Sequence, residues 1–390
     1  MNNFSFYTPT EFVFGKDTQK ETGRLIRAHG GHKALILSGG SSAEKSGLLA
    51  QVRKSLSDEG IEFSELKGIQ PNPTDDRVYE GISLVREQGI DFLLAIGGGS
   101  VIDTAKAISI GVPYGGDFWD FYCKKAVAES AMPVGVVLTI PAAGSEGSAS
   151  SVITRVESKD KVGVLYPKLI RPKFAVMNPE LTFTLPWFQT ACGAVDMICH
   201  IQERYFSNTP RSEVTDGISE ALMRTIMSDA LRLKSNPDDY EARANIMWAS
   251  TLAHNGLCGV GKEEDWASHK MEHEVSALYN VAHGAGLAVM VPAWLTFVAR
   301  RNPGKVKEFA VKVMGADANC PEEEVIATGI ERLRSFYHSL GLTTSLRELT
   351  GCEPDIPEMV KSLEGNMGST LGFYVRLSME DCAEIYRLAL

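Results

Sequence analysis

The chain has 390 residues, which is more than one hydrophobic core usually contains, so we expect two domains. Apolar residues make up 44% of the chain, which argues against disorder, and the net charge of −10 argues against nucleic acid or an anionic membrane as a partner. We expect no secretory signal, because the first residues have neither a basic start nor an apolar core, and no apolar stretch is long enough to span a membrane. Seven cysteines without a Cys-x-x-Cys pair predict reduced thiols in a cytoplasmic protein.

The first half of the chain reads as strands and helices in alternation. An edge hairpin is predicted around residues 12–15, and a helix over 18–29. Short apolar runs that end in turn residues then predict strands over 33–38, 62–66, 91–96, 133–139 and 174–177. Helices are predicted between these strands. One follows the turn at 39–42 and extends toward residue 59, and the others cover residues 75–88 and 101–110. This alternation indicates a parallel sheet covered by helices.

From Leu185 onwards, long amphipathic patterns replace the strands. They predict helices over 193–206, 212–228, 240–257, 265–279, 284–298, 304–313, 321–340 and 381–388. We therefore expect an α/β domain over residues 1–184, followed by an all-helical domain over residues 185–390.

Three of the eight histidines lie in the stretch 265–292. His269 and His273 are one helical turn apart, and His283 is followed by glycines that permit close approach to another backbone. Asp196 and His200 form a second pair with helical spacing. Imidazole and carboxylate are common ligands of divalent metals, so the two pairs suggest a site with one aspartate and three histidines. The alternative is that each histidine only caps or fills a helix face.

Small residues follow three of the predicted strands, where a parallel sheet binds its ligands. These turns are 39–42, 97–100 and 142–145. In the second, Gly97, Gly98 and Gly99 let backbone N–H groups approach a diphosphate, and Ser100 and the next helix add donors. Asp103 and Lys106 lie on the first turns of that helix. The sequence therefore predicts a dinucleotide site at this edge of the sheet.

These motifs together resemble the iron-containing, or group III, alcohol dehydrogenases. The resemblance extends over essentially the whole chain and is strongest to the NADP-dependent butanol dehydrogenase and aldehyde reductase branch. It implies a Rossmann-like dinucleotide-binding domain followed by an all-helical, metal-binding catalytic domain, which is the two-domain architecture of dehydroquinate synthase. The motifs that carry the resemblance are Gly97-Gly-Gly-Ser-x-x-Asp103-x-x-Lys106, Pro141-x-x-Gly-Ser145-Glu146, Asp196-x-x-x-His200, and His269-x-x-x-His273 with His283.

The resemblance also implies roles for individual residues. It implies one divalent metal, Fe2+ or Zn2+ or alternatively Ni2+ or Co2+, held by Asp196, His200, His269 and His283. His273 would lie near the nicotinamide, where it either relays the alcohol proton or only positions the cofactor. A homodimer is expected, formed through the N-terminal hairpin and the first strands. The cofactor-binding residues implied are Gly39, Gly40, Ser41, Ser42, Lys45, Asn72, Gly97, Gly98, Gly99, Ser100, Asp103, Thr139, Ala142, Ser145, Lys161 and Leu181.

One departure from the family bears on the choice of cofactor. Many members carry an acidic residue after the strand that ends here at Ser38, and Gly39 stands in its place. A carboxylate would hold the ribose hydroxyls of NAD and repel a 2′-phosphate, whereas Ser41, Ser42 and Lys45 could bind that phosphate. We therefore expect NADP(H) to be the cofactor.

The resulting hypothesis is a metal-dependent dehydrogenase or reductase that acts on a small primary alcohol or aldehyde. The alternatives are a non-redox lyase of the dehydroquinate synthase type, a polyol (glycerol-type) dehydrogenase, and a metal-binding protein without turnover. A lyase would need several basic residues around its substrate. The sequence neighbours of the ligands are apolar, which favours a small apolar substrate: Met197, Trp266, Met271, Tyr279 and Val281.

Overall fold

The structure is a computed structural model that describes residues 1–390. Its contacts divide the chain into an α/β unit (Tyr7–Leu185 with Ser250–Asn255) and a helical unit (Met1–Phe6, Pro186–Ala249 and Gly256–Leu390). A single boundary after residue 185 would place residues 1–6 in the α/β unit and residues 250–255 in the helical unit, but the contacts assign each of them to the other unit. No helix has both the length and the apolar character that a membrane crossing requires.

The α/β unit is built on a six-stranded parallel sheet with the strand order β1-β8-β5-β4-β2-β3. Its strands are β1 (Glu11–Phe14), β2 (Lys33–Ser38), β3 (Glu62–Leu66), β4 (Phe92–Gly97), β5 (Val134–Leu138) and β8 (Phe174–Met177), and a separate hairpin is formed by β6 (Ser150–Thr154) and β7 (Lys161–Leu165). Its helices are α1 (Thr22–Ala28), α2 (Ser42–Lys45), α3 (Leu48–Asp58), α4 (Asp75–Gln88), α5 (Gly99–Gly111) and α6 (Trp119–Tyr122), with 3-10 turns at Thr18–Glu21 and Pro179–Thr182. The predicted fold class is confirmed.

The central strands explain why the glycine turns meet. Strand β4 is buried along its whole length, as expected for a strand with helices on both faces. Gly97 at its end pairs with Leu138 of β5, and Ile96 pairs with Ser38 of β2. The three strands thus end side by side, and the segments that follow them begin at one edge of the sheet.

In the α/β unit, one prediction was wrong and one element was missed. The segment around residues 12–15 is not a hairpin but the single strand β1, which pairs in parallel with β8, more than 150 residues later. An edge strand and one arm of a hairpin have the same short apolar pattern, so the sequence does not distinguish them. The β6–β7 hairpin was not predicted; its antiparallel strands join Ser150 to Leu165 and Thr154 to Lys161.

The helical unit consists of long helices with one short pair of two-residue strands, β9 (Thr370–Leu371) and β10 (Leu377–Ser378). Three of its helices, α7, α10 and α11, pack against one another. Helix α11 is buried on almost every side, in keeping with its uniformly apolar sequence. The helices of this half of the chain are α7 (Trp187–Tyr205), α8 (Glu213–Ser235), α9 (Tyr240–His254), α10 (Ala267–Tyr279), α11 (His283–Val298), α12 (Pro303–Lys312), α13 (Glu322–Ser339), α14 (Leu346–Thr350), α15 (Ile356–Met367) and α16 (Met379–Leu388), with a 3-10 turn at Leu257–Gly259.

Candidate metal centre and nucleotide-binding turns

Three helices of the helical unit bring an aspartate and three histidines to one point. Asp196 and His200 lie one turn apart on α7, His269 lies on α10, and His283 is the first residue of α11. The Nε2 atoms of the three imidazoles are 3.3 Å (His200), 4.0 Å (His269) and 3.7 Å (His283) from Oδ1 of Asp196. Two ligand atoms that each lie about 2.1 Å from one ion can be at most about 4.2 Å apart. All three separations therefore suit a single ion.

The surroundings of these atoms also fit a metal. His269 is only 3% exposed, and its Nε2 atom is buried without a hydrogen-bond partner. Buried polar atoms are almost always satisfied, so an unsatisfied imidazole nitrogen that faces a carboxylate fits the role of a metal ligand. One carboxylate and three imidazoles suit Fe2+, Zn2+, Co2+ or Ni2+. The donor set and the geometry agree.

Two glutamates that the sequence reasoning missed hold the imidazoles from behind. An oxygen of Glu203 lies 2.7 Å from Nδ1 of His269, and Glu272 contacts Nδ1 of His283. A carboxylate that accepts a hydrogen bond from Nδ1–H favours the tautomer whose Nε2 lone pair can bind a metal, and it fixes the plane of the ring. Burial opposes ionisation of Glu203, but its hydrogen bonds with His269 and Ser268 lower the pKa of its carboxyl.

A sequence signal for these glutamates existed. Glu203 follows His200 by three residues, and Glu272 follows His269 by three residues, so each lies on the same helix face as a ligand.

The glycines after His283 are required by close packing. A Cβ atom on Gly284 would lie 2.2 Å from the carbonyl oxygen of Cys192 in α7. A Cβ atom on Gly286 would lie 2.3 Å from a carboxylate oxygen of Glu272. The first turn of α11 therefore touches the backbone of α7 and the carboxylate that holds His283. The close approach predicted for this segment is confirmed.

We expect Gly286→Ala to weaken metal binding by about 10- to 100-fold, which is the usual cost of disturbing a residue that orients a ligand. The added methyl group displaces Glu272 and thereby releases the His283 ring. Gly217→Ala is the matched control, because Gly217 lies in α8 and a Cβ there meets nothing within 4 Å. Isothermal titration of the chelator-treated proteins measures the effect. Equal affinity in Gly286→Ala and in the parent protein would contradict it.

His273 occupies a more open position than His200 and His269. It is half-buried, and its ring centroid lies 5.5 Å from that of His283. It groups with Glu272 and His283 rather than with Asp196. The structure therefore places it beside the candidate metal site.

Two of the five apolar residues near the ligands in sequence do not line an accessible pocket. Met197 and Met271 are completely buried in the core of the helical unit, so they do not line an accessible cavity. Tyr279 is half-buried, and its hydroxyl accepts a hydrogen bond from the backbone N–H of Asp355. Trp266 does contact the site, since its ring lies against those of His200 and His269.

In the α/β unit, the three glycines of the turn between β4 and α5 have different surroundings. A Cβ atom on Gly97 would lie 2.6 Å from the side chain of Val101, and one on Gly98 would lie 2.8 Å from that of Ile140. Gly99 has no neighbour within 4 Å at this position. The first two glycines thus allow tight packing, and the third leaves the first turn of α5 open, where helix N–H groups favour an anion.

Asp103 and Lys106 anchor the segment that follows β5. Asp103 accepts hydrogen bonds from the Ser145 hydroxyl at 2.6 Å and from the backbone N–H of Val152 at 2.9 Å. Lys106 is completely buried and donates to the carbonyl oxygens of Ser145 and Ser150 at 2.6 and 3.0 Å. Burial lowers the pKa of Lys106 to about 8. These hydrogen bonds thus hold the segment of Ser145, Ser150 and Val152 against helix α5.

The remaining residues that were predicted to bind the cofactor lie in several different parts of the α/β unit. Asn72 adopts a left-handed backbone conformation and accepts a hydrogen bond from Lys161 at 3.1 Å. The N–H of Thr139 donates to the carbonyl of Gly97 at 3.0 Å, and Ala142 is half-buried nearby in sequence. Leu181 packs against the core. The residues after β2 form a surface turn in which Gly39 is half-buried and the others are exposed: Gly40, Ser41, Ser42 and Lys45.

Comparisons with known proteins agree with this fold. Residues 9–179 match the family model "Iron-containing alcohol dehydrogenase", and residues 190–390 match "Fe-containing alcohol dehydrogenase family, C-terminal". The chain belongs to the iron-containing alcohol dehydrogenase family.

Relatives extend along the full chain. It is 38% identical to NADH-dependent butanol dehydrogenase A of Clostridium acetobutylicum, over 99% of each chain. It is 34% identical to the NADPH-dependent aldehyde reductase YqhD of Escherichia coli, over 100% of each chain. The crystal structure of NADH-dependent butanol dehydrogenase A from Thermotoga maritima superposes with a TM-score of 0.96 at 40% identity, covering 100% of this chain and 99% of that one.

Proposed function

We propose that this chain is a metal-dependent alcohol dehydrogenase, or aldehyde reductase, that transfers a hydride between NADP(H) and a small primary alcohol or aldehyde. The observation that carries the proposal is the convergence of three imidazole Nε2 atoms within 4.0 Å of one buried carboxylate oxygen. Family membership supports the redox class over the lyase alternative.

Asp196, His200, His269 and His283 would hold the metal, and Fe2+ or Zn2+ is the proposed ion. When bound, such an ion polarises the substrate oxygen, while the hydride chemistry belongs to the nicotinamide. Glu203 and Glu272 keep the imidazoles of His269 and His283 in the orientation that a ligand needs.

His273 is proposed to hold or orient the alcohol proton. Imidazole is the side chain that most often donates or accepts a proton in enzyme active sites. Its half-buried position beside His283, off the group around Asp196, supports this role.

NADP(H) is the proposed form of the cofactor. Support comes from the surface turn after β2, where Gly39 stands at the position that the family resemblance assigns to an acidic residue and Lys45 is exposed. The names of the relatives divide between NADH-dependent and NADPH-dependent enzymes, so similarity alone does not decide the question.

A cytoplasmic location is proposed because all seven cysteines are free thiols.

We expect butanal to be reduced with a kcat/KM at least about tenfold higher than that for glyceraldehyde phosphate, a difference of about 1.4 kcal/mol. The net charge of −10 disfavours a phosphorylated substrate. Arg204, a cation whose guanidinium lies over the Trp266 ring beside the candidate metal site, is already engaged by Glu264 at 3.2 Å. Steady-state oxidation of NADPH by the metal-loaded enzyme measures both rates. Comparable values would contradict the proposed substrate class, and no turnover of any short aldehyde would refute the function.

We further propose a homodimer that forms at the open edge of β1. This strand is the outermost of its sheet and pairs only with β8, so its other edge can add a strand from a second copy. Sedimentation velocity at micromolar concentration is expected to show twice the mass of 42.5 kDa. A single monomeric species would contradict the proposal.

A further inference from the structure

Trp266, the residue before α10, lies against two of the proposed metal ligands. Its ring meets that of His200 edge-on, with centroids 5.6 Å apart and an interplanar angle of 70°. It meets the ring of His269 in the same way, at 5.3 Å and 70°. The two imidazoles are themselves tilted by 44°, with centroids 4.5 Å apart. One indole therefore touches both rings and opposes their rotation.

The backbone of Trp266 adopts a conformation that bulky residues avoid. Its φ of 67° and ψ of 7° lie in the left-handed region. Two carboxylates hold it there: the backbone N–H donates to Glu203 at 2.6 Å, and the indole N–H donates to Glu264 at 2.6 Å. Unfavourable backbone conformations of this kind persist where the surroundings fix them, and they are concentrated at functional sites.

A buried arginine completes the support of the indole. The guanidinium of Arg204 lies 4.8 Å from the centroid of the Trp266 ring, a cation–π distance. Its Nε is 3.2 Å from Glu264, which also accepts the indole N–H. Another guanidinium nitrogen donates to the carbonyl oxygen of His200 at 2.7 Å. Arg204 thus ties the indole to the helix that carries Asp196 and His200.

We propose that Trp266 is a positioning residue that fixes the imidazole planes of His200 and His269 for the metal. The inference rests on the proposed metal site. An imidazole ligand binds through a lone pair in the plane of its ring, so a ring free to rotate binds more weakly. The carboxylate of Glu203 restrains His269 from behind, and the Trp266 indole restrains His269 and His200 from the side.

Binding of Co2+ to the full-length, chelator-treated protein tests this role, because its visible absorption spectrum reports ligand geometry without any need for turnover. The variants are Trp266→Leu, which removes the ring, and Trp266→Phe, which keeps an aromatic edge. Trp187→Phe is the control: Trp187 is also half-buried, and its indole N–H donates to Leu340 at 2.8 Å.

We expect Trp266→Leu to weaken Co2+ binding by about 10- to 100-fold and to change the spectrum. Trp266→Phe should bind within about fivefold of the parent protein and keep its spectrum, since an aromatic ring still faces the imidazoles. Trp187→Phe should match the parent protein in both measurements.

Each other result has a definite meaning. If the parent protein does not bind Co2+, the proposed metal site fails. If the parent protein binds Co2+ and Trp266→Leu binds it equally well, only the role of Trp266 is overturned. The same conclusion follows if Trp187→Phe loses as much Co2+ affinity as Trp266→Leu. Near-UV circular dichroism reports whether Trp266→Leu is folded. If it is not, Trp266→Met, which replaces the ring with an unbranched apolar side chain, takes its place and is expected to weaken Co2+ binding and change the spectrum in the same way. Parent-like binding and spectrum in that folded variant overturn the proposal.

Discussion

Replacing His269 with alanine is expected to abolish stable metal binding and to lower kcat/KM for aldehyde reduction by about 10³-fold or more. Metal polarisation of the substrate oxygen supplies several kcal/mol in the transition state, and each 1.4 kcal/mol, roughly, is a factor of ten in rate. His269 is buried, and its Nε2 makes no hydrogen bond that would compensate for its loss. Asp196→Ala should have the same effect, because the Nε2 atoms of three histidines converge on its carboxylate.

Elemental analysis of the purified variants gives the metal content, and thermal unfolding of the chelator-treated proteins shows whether the fold is retained. His338→Ala is the control, because His338 is an exposed histidine of the same unit whose ring contacts the hydroxyl of Thr344. It should keep both metal and activity. A His269→Ala protein with the metal content of the parent would show that the assignment of ligands is wrong.

Gly39→Asp is expected to erase or reverse a preference for NADPH over NADH of at least about tenfold. Hydrogen bonds to a charged group contribute on the order of 1.5–3 kcal/mol each, so one contact from Ser41, Ser42 or Lys45 to the 2′-phosphate accounts for this preference. An aspartate at position 39 would repel the phosphate. Gly39 has no left-handed backbone that would exclude a side chain, and a Cβ there would be 3.2 Å from the carbonyl oxygen of Ile69, so that backbone must move by a few tenths of an ångström.

Values of kcat/KM for both cofactors, in the parent protein and the variant, decide this prediction. Gly115→Asp is the matched control, since it adds the same charge to the same unit at an exposed glycine with no neighbour within 4 Å. Lys45→Gln should lower kcat/KM with NADPH and leave that with NADH unchanged. Equal use of the two cofactors by the parent, or an unchanged ratio in Gly39→Asp, would show that this turn does not contact the phosphate.

The parallel sheet could be predicted because its strands are local patterns. Strands β2, β3 and β8 have the predicted bounds, and helix α4 does as well. Each is a short apolar run or an amphipathic stretch that ends at turn residues. Strand β1 was misread because its partner lies far away in the chain, and no local pattern specifies such a pairing. The β6–β7 hairpin was missed because its strands are half-polar and a charged turn joins them.

The ligand pairs could be predicted from helical spacing, but their surroundings required the three-dimensional structure. Met197 directly follows Asp196, and Met271 comes two residues after His269. Residues one or two apart on a helix point in different directions, and these two methionines point into the core. Glu203 and Glu272 have the spacing that puts them on the ligand faces, yet glutamates at such spacing are common on solvated helices. Their burial distinguishes them, and burial depends on how α7, α10 and α11 pack.

The central claim is that a metal held by Asp196, His200, His269 and His283 is needed for turnover, and metal removal and replacement test it most directly. The enzyme is treated with a chelator, assayed with NADPH and butanal, and titrated with Fe2+ or Zn2+. We expect activity to fall by about 10³-fold or more on removal and to return as close to one equivalent of metal is added. Full activity in protein shown by elemental analysis to contain no metal would contradict the claim.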